Sequence, residues 1–232
     1  MMKAQAMILA AGRGERMRPL TDSCPKPLLQ VKGKPLLGWH LEAFAQGGFS
    51  EVVINTAWLG EQIEQHYGEA AEGLRIQYSH EGRDFGGALE TAGGIARALP
   101  VLDDPFWLVA GDVYMPGFRF EHVKLARFAS SGKLAHLFLV PNPEHNPKGD
   151  FGLSADGLAL NEAPQRHTYS TTGLFRHELF AGLPAGNPQG LKVALAPLLR
   201  QAIGQELVSA ELYTGPWTDV GTPQRLDFLN RH

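Results

Sequence analysis

The sequence predicts a single α/β domain in which helices flank a mixed, mostly parallel β-sheet. Short apolar runs alternate with segments of helical periodicity along the first half of the chain. This β-α-β-α alternation is typical of parallel strands joined by crossover helices. The 232 residues suffice for one sizeable hydrophobic core, and no repeat, low-complexity tract or clear linker divides them.

Seven segments have the composition of strands. The run FWLVA at 106–110 is apolar throughout, and EVVIN at 51–55 is apolar at its centre. Short apolar runs bounded by glycine, proline or polar residues are typical of strands buried in a sheet. The predicted strands are residues 6–10, 51–55, 74–78, 106–110, 134–140, 169–175 and 207–213.

Six segments carry the pattern of helices. In 37–45 the apolar residues recur at helical spacing. Thr222 followed by Pro223 predicts a helix start, because threonine caps the first turn and proline fits it. The turn-rich segment 141–156 is expected to be a surface or functional loop. The predicted helices are residues 37–45, 59–67, 89–99, 120–130, 193–203 and 222–230.

Composition and charge exclude several classes of protein. Hydrophobic residues make up 44% of the chain and charged residues 19%, which is ordinary for a globular protein. At a net charge of −3, bulk electrostatics predicts neither nucleic-acid nor membrane binding. The single cysteine, Cys24, excludes an internal disulfide and suits a reducing compartment. The N-terminal apolar run is too short for a signal peptide, so we expect a cytoplasmic protein.

A glycine-rich loop follows the first predicted strand. Gly12 and Gly14 allow a sharp turn and bring backbone N–H groups close to an anion. The dinucleotide-binding fingerprint requires a third glycine where Met17 stands, and no Gly-Lys-Ser/Thr ending of a P-loop follows. The loop therefore predicts phosphate binding of another kind.

Basic residues are concentrated in this part of the chain. Residues 13–34 contain six basic and two acidic side chains, which favours a local site for phosphates over a solvated basic face. Lys26 lies between Pro25 and Pro27, which restrict the backbone and favour an extended conformation at Cys24 and Lys26. A lysine whose direction is fixed suits a preorganised phosphate contact, although a purely structural turn would show the same residues.

Two aspartates are candidate metal ligands. Asp112 follows the predicted strand 106–110, at the carboxyl end where open α/β sheets bind ligands. Asp219 lies between a predicted strand and the last predicted helix. Each alone is more often a cap or a turn residue. Together their oxygens would suit one Mg²⁺, with phosphate oxygens and water completing its shell.

The stretch LAAGRGERMRPLT, followed by PKPL, resembles the sugar-1-phosphate nucleotidyltransferase family, whose pattern is a Gly-rich loop, Arg, Pro-Leu-Thr and Pro-Lys-Pro. The segments VINTAWLG, LETAGGI, KVALAPLLRQA and WTDVGT extend the resemblance over nearly the whole chain. It implies a Rossmann-like fold of the nucleotide-diphospho-sugar transferase type, with a nucleotide-binding part at about 1–112 and a sugar-binding part at about 113–232 of the 232 residues.

The resemblance also implies roles for single residues. Arg16 and Lys26 would be catalytic, and Asp112 and Asp219 would hold Mg²⁺. The implied nucleotide-binding residues are Ala10, Ala11, Gly12, Gly14, Glu15, Arg16, Glu81 and Glu90. The implied residues for the sugar phosphate are Lys26, Asp150, Gly152, Glu162, Thr172 and Lys192. Glu81 would read the edge of the base, although an exposed loop carboxylate is the equally weighted alternative.

The implied reaction transfers a uridylyl group from UTP to a sugar 1-phosphate, with N-acetylmuramic acid 1-phosphate as the expected acceptor in peptidoglycan recycling. A phosphate monoester has a second pKa of about 6, so it needs no general base, and no catalytic histidine is expected. Alternatives are uridylyl, thymidylyl or guanylyl transfer to glucose, N-acetylglucosamine or mannose 1-phosphate. A non-catalytic regulatory module that binds nucleotides or sugar phosphates is the alternative of another class. A monomer or dimer is expected.

Two departures from the family pattern bear on specificity. Many relatives have Glu-Lys-Pro where this chain has EAP at 162–164, so Lys192 is a candidate replacement for the absent lysine. The segment GRDFGGALE at 82–90 is longer than the corresponding loop of relatives. Its glycines predict a flexible lid or a mobile insertion.

Overall fold

The computed structural model describes residues 4–232. Its helices agree closely with those predicted from the apolar periodicity, apart from one additional short helix at Glu81–Phe85. Thr222 caps the last helix as predicted, because its hydroxyl oxygen accepts a hydrogen bond from the backbone N of Arg225 at 3.4 Å. The helices are α1 Leu36–Gln46, α2 Gly60–Tyr67, α3 Glu81–Phe85, α4 Glu90–Ala98, α5 His122–Ala129, α6 Leu195–Gly204 and α7 Pro223–Arg231.

Each of the predicted strands is also present, and several very short strands form hairpins and ribbons around them. In chain order the strands are β1 Ala4–Ala10, β2 Gln30–Val31, β3 Lys34–Pro35, β4 Glu51–Thr56, β5 Ala70–Ala71, β6 Leu74–His80, β7 Leu102–Ala110, β8 Val113–Tyr114, β9 Ala135–Val140, β10 Gly152–Leu153, β11 Ala159–Leu160, β12 Thr168–Phe175, β13 Val208–Leu212 and β14 Thr218–Asp219.

The central sheet is mixed and mostly parallel, in the order β13-β9-β12-β7-β1-β4-β6-β5. Strands β7, β1, β4 and β6 are parallel neighbours, whereas β12 runs antiparallel to both β7 and β9. The carboxyl ends of β1, β4, β7 and β9 therefore meet at one edge of the sheet, where the amino end of β12 also lies. This is the edge at which such sheets bind ligands.

Apolar residues on β1 alternate between two cores, one on each face of the sheet. Ala4 and Met7 belong to a core covered by α4 and α6, while Ala6, Ile8 and Ala10 belong to a core covered by α1 and α5. The central strands are apolar on both faces because both faces are buried. The expectation of helices on both faces is confirmed.

Among residues 4–232, no helix is both long enough and apolar enough to cross a membrane. Cys24 is the one cysteine in the sequence and carries a free thiol.

Candidate active site

A cavity of about 590 Å³ lies at the carboxyl edge of the sheet, beside the ends of β1 and β7. Its size falls within the range of about 300–1,000 Å³ that is usual for ligand sites. Asn55 and Gly221 also border it. The predicted site residues that line it are Ala10, Ala11, Gly12, Gly14, Glu15, Arg16, Lys26, Glu81, Glu90 and Asp112.

The glycine-rich loop turns at Gly14, whose φ of +68° lies in the left-handed region. A Cβ at this position would lie 3.1 Å from Thr21 Cγ2 and 3.3 Å from Lys26 Cβ, so a side chain would be both strained and crowded. Thr21 Oγ1 donates a hydrogen bond to the Gly14 carbonyl at 2.8 Å. Gly12 has open space around its Cα instead, which leaves room for a ligand against the backbone.

Lys26 is buried, with 8% of its surface exposed. The expectation of extended backbone at Lys26 is wrong, because the backbone N–H groups of Leu28 and Leu29 donate to the carbonyls of Pro25 and Lys26 and close a 3-10 turn. The Lys26 side chain packs on Gly14, and its Nζ forms an ion pair with Asp112 Oδ2. The structure thus fixes the direction of the lysine by packing and charge rather than by extended backbone.

Asp112 and Asp219 are brought together by a short antiparallel ribbon. In the β8–β14 pair, Asp219 lies opposite Val113. The backbone N of Val220 donates to the Asp112 carbonyl at 2.8 Å, which extends this pairing by one residue. The backbones of the two aspartates therefore lie on adjacent segments of the ribbon, at the same end of the sheet. They are more than one hundred residues apart in sequence.

The surroundings of Asp219 leave one of its oxygens without a hydrogen bond. Arg225 Nη1 contacts Oδ2. His145 Nε2 lies 2.9 Å from Oδ1 but outside hydrogen-bonding geometry, and Oδ1 is buried without a hydrogen-bond partner. A buried carboxylate oxygen without a partner is costly unless a ligand satisfies it.

This donor set fits a hard divalent cation. Over residues 4–232 there is no group of three or more His, Cys, Asp or Glu side chains that would hold a metal by itself. Two carboxylates with one unpartnered oxygen suit Mg²⁺, which keeps several non-protein ligands such as water and phosphate oxygens.

Glu81 closes the opposite side of the cavity through a buried network. Asn55 Oδ1 accepts from the backbone N of Ala10 at 2.7 Å, and Asn55 Nδ2 donates to Glu81 Oε1 at 2.6 Å. Glu81 Oε2 accepts from the backbone N of Leu89 at 2.7 Å. Glu81 is 0% exposed, so its interpretation as an exposed loop carboxylate is wrong. Burial raises the pKa of Glu81 above its ordinary value, while the bonds from Leu89 and Asn55 oppose this rise.

Replacing Glu81 with glutamine is expected to lower the free energy of unfolding by about 1–3 kcal/mol, because one buried donor must then face another donor. The amide NH₂ would face either the Leu89 N–H or Asn55, whose own oxygen is needed by Ala10. Urea unfolding measures the loss, with the exposed Glu61→Gln as control.

The pH dependence of stability provides a second check on Glu81. A carboxyl whose pKa is raised in the folded state binds its proton more tightly when folded, so its contribution to stability falls as the pH rises above 4.5. Glu81→Gln is expected to remove that fall. An unchanged pH profile together with unchanged stability would contradict the network described above.

The longer segment at 82–90 is packed rather than loose at its start. A Cβ on Gly82 would lie 2.6 Å from the Ala57 carbonyl oxygen, so this glycine permits close packing. Gly86 ends α3 with a φ of +77°. Asp84 pairs with Arg97 at 2.6 Å. The prediction that its glycines make this segment flexible is therefore wrong for Gly82.

The side chain of Arg13, in the glycine-rich loop, contacts Trp58, and sequence reasoning did not predict this contact. We call it the Arg13–Trp58 clamp. The Arg13 guanidinium lies 3.7 Å from the centre of the Trp58 ring. Arg13 also donates to the Thr21 carbonyl at 2.9 Å and to Asp22 Oδ1 at 3.0 Å. Trp58 Nε1 donates to the same Thr21 carbonyl at 2.9 Å. These contacts join the start and the end of the loop to each other and to the segment after β4.

Replacing Trp58 with alanine is expected to speed hydrogen exchange in residues 13–22 by about tenfold, because it removes a cation–π contact and a hydrogen bond worth about 1–2 kcal/mol together. Hydrogen–deuterium exchange with mass spectrometry measures this change. Trp39→Ala is the matched control, since Trp39 Nε1 donates to Val31 instead. Equal protection of the loop in both variants would show that no clamp exists.

The predicted sugar-binding residues are not brought into the large cavity. Asp150 accepts hydrogen bonds from the backbone N of Tyr169 at 2.8 Å and from Asn146 at 3.2 Å. Thr172 is 0% exposed, and its hydroxyl contacts Met115 Sδ at 3.8 Å. A Cβ on Gly152 would lie 2.4 Å from Ala163 Cβ, so this glycine permits tight packing.

Glu162 and Lys192 lie elsewhere. Glu162 lines a second cavity and its side chain is 86% exposed. Lys192 is exposed, and the carbonyl of its neighbour Val193 accepts hydrogen bonds from Ala92 and Gly93 at the start of α4.

A glycine-rich loop, a buried lysine and Asp112 line one cavity at the carboxyl edge of a mixed sheet, with Asp219 two residues from Gly221 at its border, and this arrangement is typical of a nucleotide-binding α/β protein. The chain belongs to the nucleotidyl transferase family, whose sequence pattern matches residues 5–231.

The names of three relatives agree with the assignment of this chain to the nucleotidyl transferase family. The chain is 51% identical over 231 residues to N-acetylmuramate alpha-1-phosphate uridylyltransferase of Neisseria meningitidis serogroup B, covering 96% of this chain and 95% of the relative. It is 32% identical to the protein of the same name from Caulobacter vibrioides, covering 94% and 92% of the two chains. It is 30% identical to UTP--glucose-1-phosphate uridylyltransferase of Synechocystis, covering 84% of this chain but 55% of that relative.

Solved structures share the fold at low sequence identity. A Bacillus anthracis protein described as a glucose-1-phosphate thymidylyltransferase superposes with a TM-score of 0.77 at 18% identity, over 98% of this chain and 94% of that one. HddC from Yersinia pseudotuberculosis superposes with a TM-score of 0.73 at 16% identity, over 98% of both chains. These likenesses show that the chain has the fold of nucleotide-diphospho-sugar transferases.

Proposed function

We propose that this chain transfers a uridylyl group from UTP to N-acetylmuramic acid 1-phosphate, giving UDP-N-acetylmuramate and pyrophosphate. The observation that carries the proposal is the match to the Neisseria meningitidis uridylyltransferase over nearly the whole of both chains. The cavity supports it, because its glycine-rich loop, Lys26 and Asp112 suit a reaction between phosphates. The proposed setting is peptidoglycan recycling in the cytoplasm, by a monomer or dimer.

The nucleophile in this reaction is an oxygen of the sugar phosphate. It attacks the α-phosphorus of UTP, and the bond to the pyrophosphate breaks. With a second pKa of about 6, the sugar phosphate is largely dianionic at neutral pH and needs no general base. The work left to the protein is to bring two anions together and to hold them in line.

Lys26 and Arg16 are the cations proposed to do this. Lys26 Nζ lies beside Asp112 at the cavity wall, where it would hold the reacting phosphates. Arg16 Nη2 lies 3.5 Å from the position a Cβ would take on Gly221, next to Asp219, where it would face the leaving pyrophosphate. Preorganised charges of this kind stabilise the charge that develops in the transition state.

Asp112 and Asp219 would hold Mg²⁺, and the unpartnered Asp219 Oδ1 supports this assignment. The ion would supply charge neutralisation to the phosphate oxygens. The pairing of Lys26 with Asp112 supports a contact of the lysine with the same phosphates.

Other residues would bind the rest of the substrates, from the large cavity on the nucleotide side and from outside it on the sugar side. On the nucleotide side these are Ala10–Gly12 against the nucleoside, Gly14 and Glu15 at the phosphates, and Glu81 and Glu90 at the base. Glu90 has a φ of +60°, a strained conformation of the kind that is concentrated at functional sites. On the sugar side we propose Asp150, Gly152, Glu162, Thr172 and Lys192.

An assay of pyrophosphate release over a matrix of UTP, dTTP and GTP against several sugar 1-phosphates tests the proposal. The greatest kcat/KM is expected for UTP with N-acetylmuramic acid 1-phosphate. A preference for glucose, N-acetylglucosamine or mannose 1-phosphate would reassign the acceptor. Binding of nucleotide without release from any pair would favour a regulatory module, although such a module has no need of the two carboxylates.

A further inference from the structure

A second cavity, of about 400 Å³, lies between the segment after β9 and the segment before β12. Val140 at the end of β9 pairs with Thr168 at the start of β12, so both segments leave the sheet at the edge that carries the large cavity. His145, in the middle of the first segment, reaches to within 2.9 Å of Asp219 Oδ1. The segment that supplies one wall of the second cavity, through Pro147 and Lys148, therefore also reaches Asp219.

Side-chain bonds fix the two walls of this cavity against each other. Asn142 Nδ2 donates to the Arg166 carbonyl at 3.0 Å and to the Pro147 carbonyl at 3.2 Å. Asn142 Oδ1 accepts from the Thr168 hydroxyl at 2.9 Å. A Cβ on Gly149 would lie 2.7 Å from the Arg166 carbonyl carbon, so the walls are in close contact. These bonds give the second cavity a fixed shape.

The charged side chains that line the second cavity are Lys148, Arg166 and Glu162. Glu162 is 86% exposed, and its carboxylate lies 3.8 Å from Arg166 Nη1, at the limit of an ion pair. The pair is long and exposed and therefore weak, and two cations against one carboxylate leave the lining with a net positive charge. The Arg166 side chain is 26% exposed, which shields its guanidinium from much of the solvent. The second cavity is thus an electropositive recess whose wall segment also reaches Asp219.

We infer that this recess is a carboxylate-binding subsite, in which Arg166 and Lys148 bind the lactyl carboxylate of the acceptor sugar. The inference rests on the proposed function and deepens it. N-acetylmuramic acid differs from N-acetylglucosamine by one lactyl ether, whose carboxylate is the group that distinguishes the two sugars. A guanidinium matches a carboxylate with two parallel N–H···O bonds, and an ammonium adds a point charge. Arg166 and Lys148 are thereby specificity-determining residues for the acceptor.

The test compares two acceptors that differ only in this group. The full chain and its variants are assayed with UTP and either N-acetylmuramic acid 1-phosphate or N-acetylglucosamine 1-phosphate. Arg166→Gln is expected to lower the ratio of the two kcat/KM values by about 10- to 100-fold, the size expected for a lost hydrogen bond to a charged group. Lys148→Gln is expected to lower this ratio less than Arg166→Gln does. Arg166→Lys is expected to retain part of the preference for N-acetylmuramic acid 1-phosphate.

Controls separate this effect from a general loss of structure. Arg127→Gln removes an exposed cation from α5 and is expected to leave the ratio unchanged. Thermal unfolding and UTP affinity of Arg166→Gln are expected to match those of the wild type. If the wild type does not use N-acetylglucosamine 1-phosphate at all, a fall in turnover of N-acetylmuramic acid 1-phosphate with unchanged UTP affinity supports the subsite.

The outcomes distinguish the two proposals. No turnover of N-acetylmuramic acid 1-phosphate by the wild type would overturn the proposed function, and the subsite with it. Normal turnover by the wild type, with an unchanged ratio in both Arg166→Gln and Lys148→Gln, would overturn the subsite alone. An equal fall with both acceptors would also overturn it, since such a loss does not depend on the carboxylate.

Discussion

Replacing Asp112 with asparagine is expected to slow pyrophosphate release by about 10³-fold, the scale of losing a preorganised electrostatic group from an active site. The change removes one of the two carboxylates proposed to hold Mg²⁺ and the partner of Lys26 Nζ. It keeps the size of the side chain and the backbone bond from Val220 to the Asp112 carbonyl, so the ribbon is expected to remain. The rate is measured under saturating UTP and acceptor.

The matched control is Asp156→Asn, in an exposed turn away from both cavities. Its rate is expected to equal that of the wild type. Both variants are expected to unfold at temperatures close to that of the wild type. Turnover by Asp112→Asn at the wild-type rate would remove Asp112 from the proposed metal site.

Replacing Lys26 with methionine is expected to reduce kcat/KM by about 10²- to 10³-fold, because it removes a positive charge proposed to bind the reacting phosphates. Methionine has a similar length, so packing against Gly14 is largely retained. Arginine is not expected to restore the rate fully, because a planar guanidinium does not present the compact point charge of an ammonium to Asp112 and the phosphates. Steady-state kinetics with both substrates varied gives the two constants.

Lys32→Met is the control for this experiment, since Lys32 is exposed and lies outside the cavity. Its kinetic constants are expected to match those of the wild type. A Lys26→Met variant with an unchanged kcat/KM would show that Lys26 serves packing and the pairing of Asp112 rather than substrate binding.

The order of elements was predictable from the sequence because each strand or helix shows its own period of apolar residues. The segments 106–110 and 51–55 are apolar on both faces, and the structure buries both faces of β7 and β4. The glycine-rich loop was predictable because its sharp turn needs a left-handed φ at position 14, where the sequence has a glycine. The structure places this loop at the carboxyl edge of the sheet, beside the cavity.

The burial of Glu81 was not predictable in the same way. Its side-chain partner Asn55 lies 26 positions away, and the two meet because β4 and β6 are neighbours that end at one edge. Residue type alone favours exposure for a glutamate in a loop. The pairing of β4 with β6 supplies the Asn55 donor to one carboxylate oxygen, and the turn from α3 to α4 brings the Leu89 N–H to the other.

The Lys26 turn and the Arg13–Trp58 clamp show a related limit. The prolines on either side of Lys26 favour extended backbone, yet tertiary packing on Gly14 and the charge of Asp112 accompany a 3-10 turn. Arg13 lies in the loop after β1 and Trp58 in the loop after β4, so no local sequence pattern signals their contact. For the sugar side, resemblance suggested residues such as Thr172, whose burial depends on the packing of β12 against Met115.

The most direct test of the central claim is phosphorus NMR of the purified protein with UTP, N-acetylmuramic acid 1-phosphate and Mg²⁺. We expect the signal of the sugar monoester to disappear while those of a diphosphate diester and of pyrophosphate grow in equal amounts. We expect no such change with Asp112→Asn over the same time. Unchanged UTP and sugar phosphate in the wild-type sample would contradict the proposed transfer.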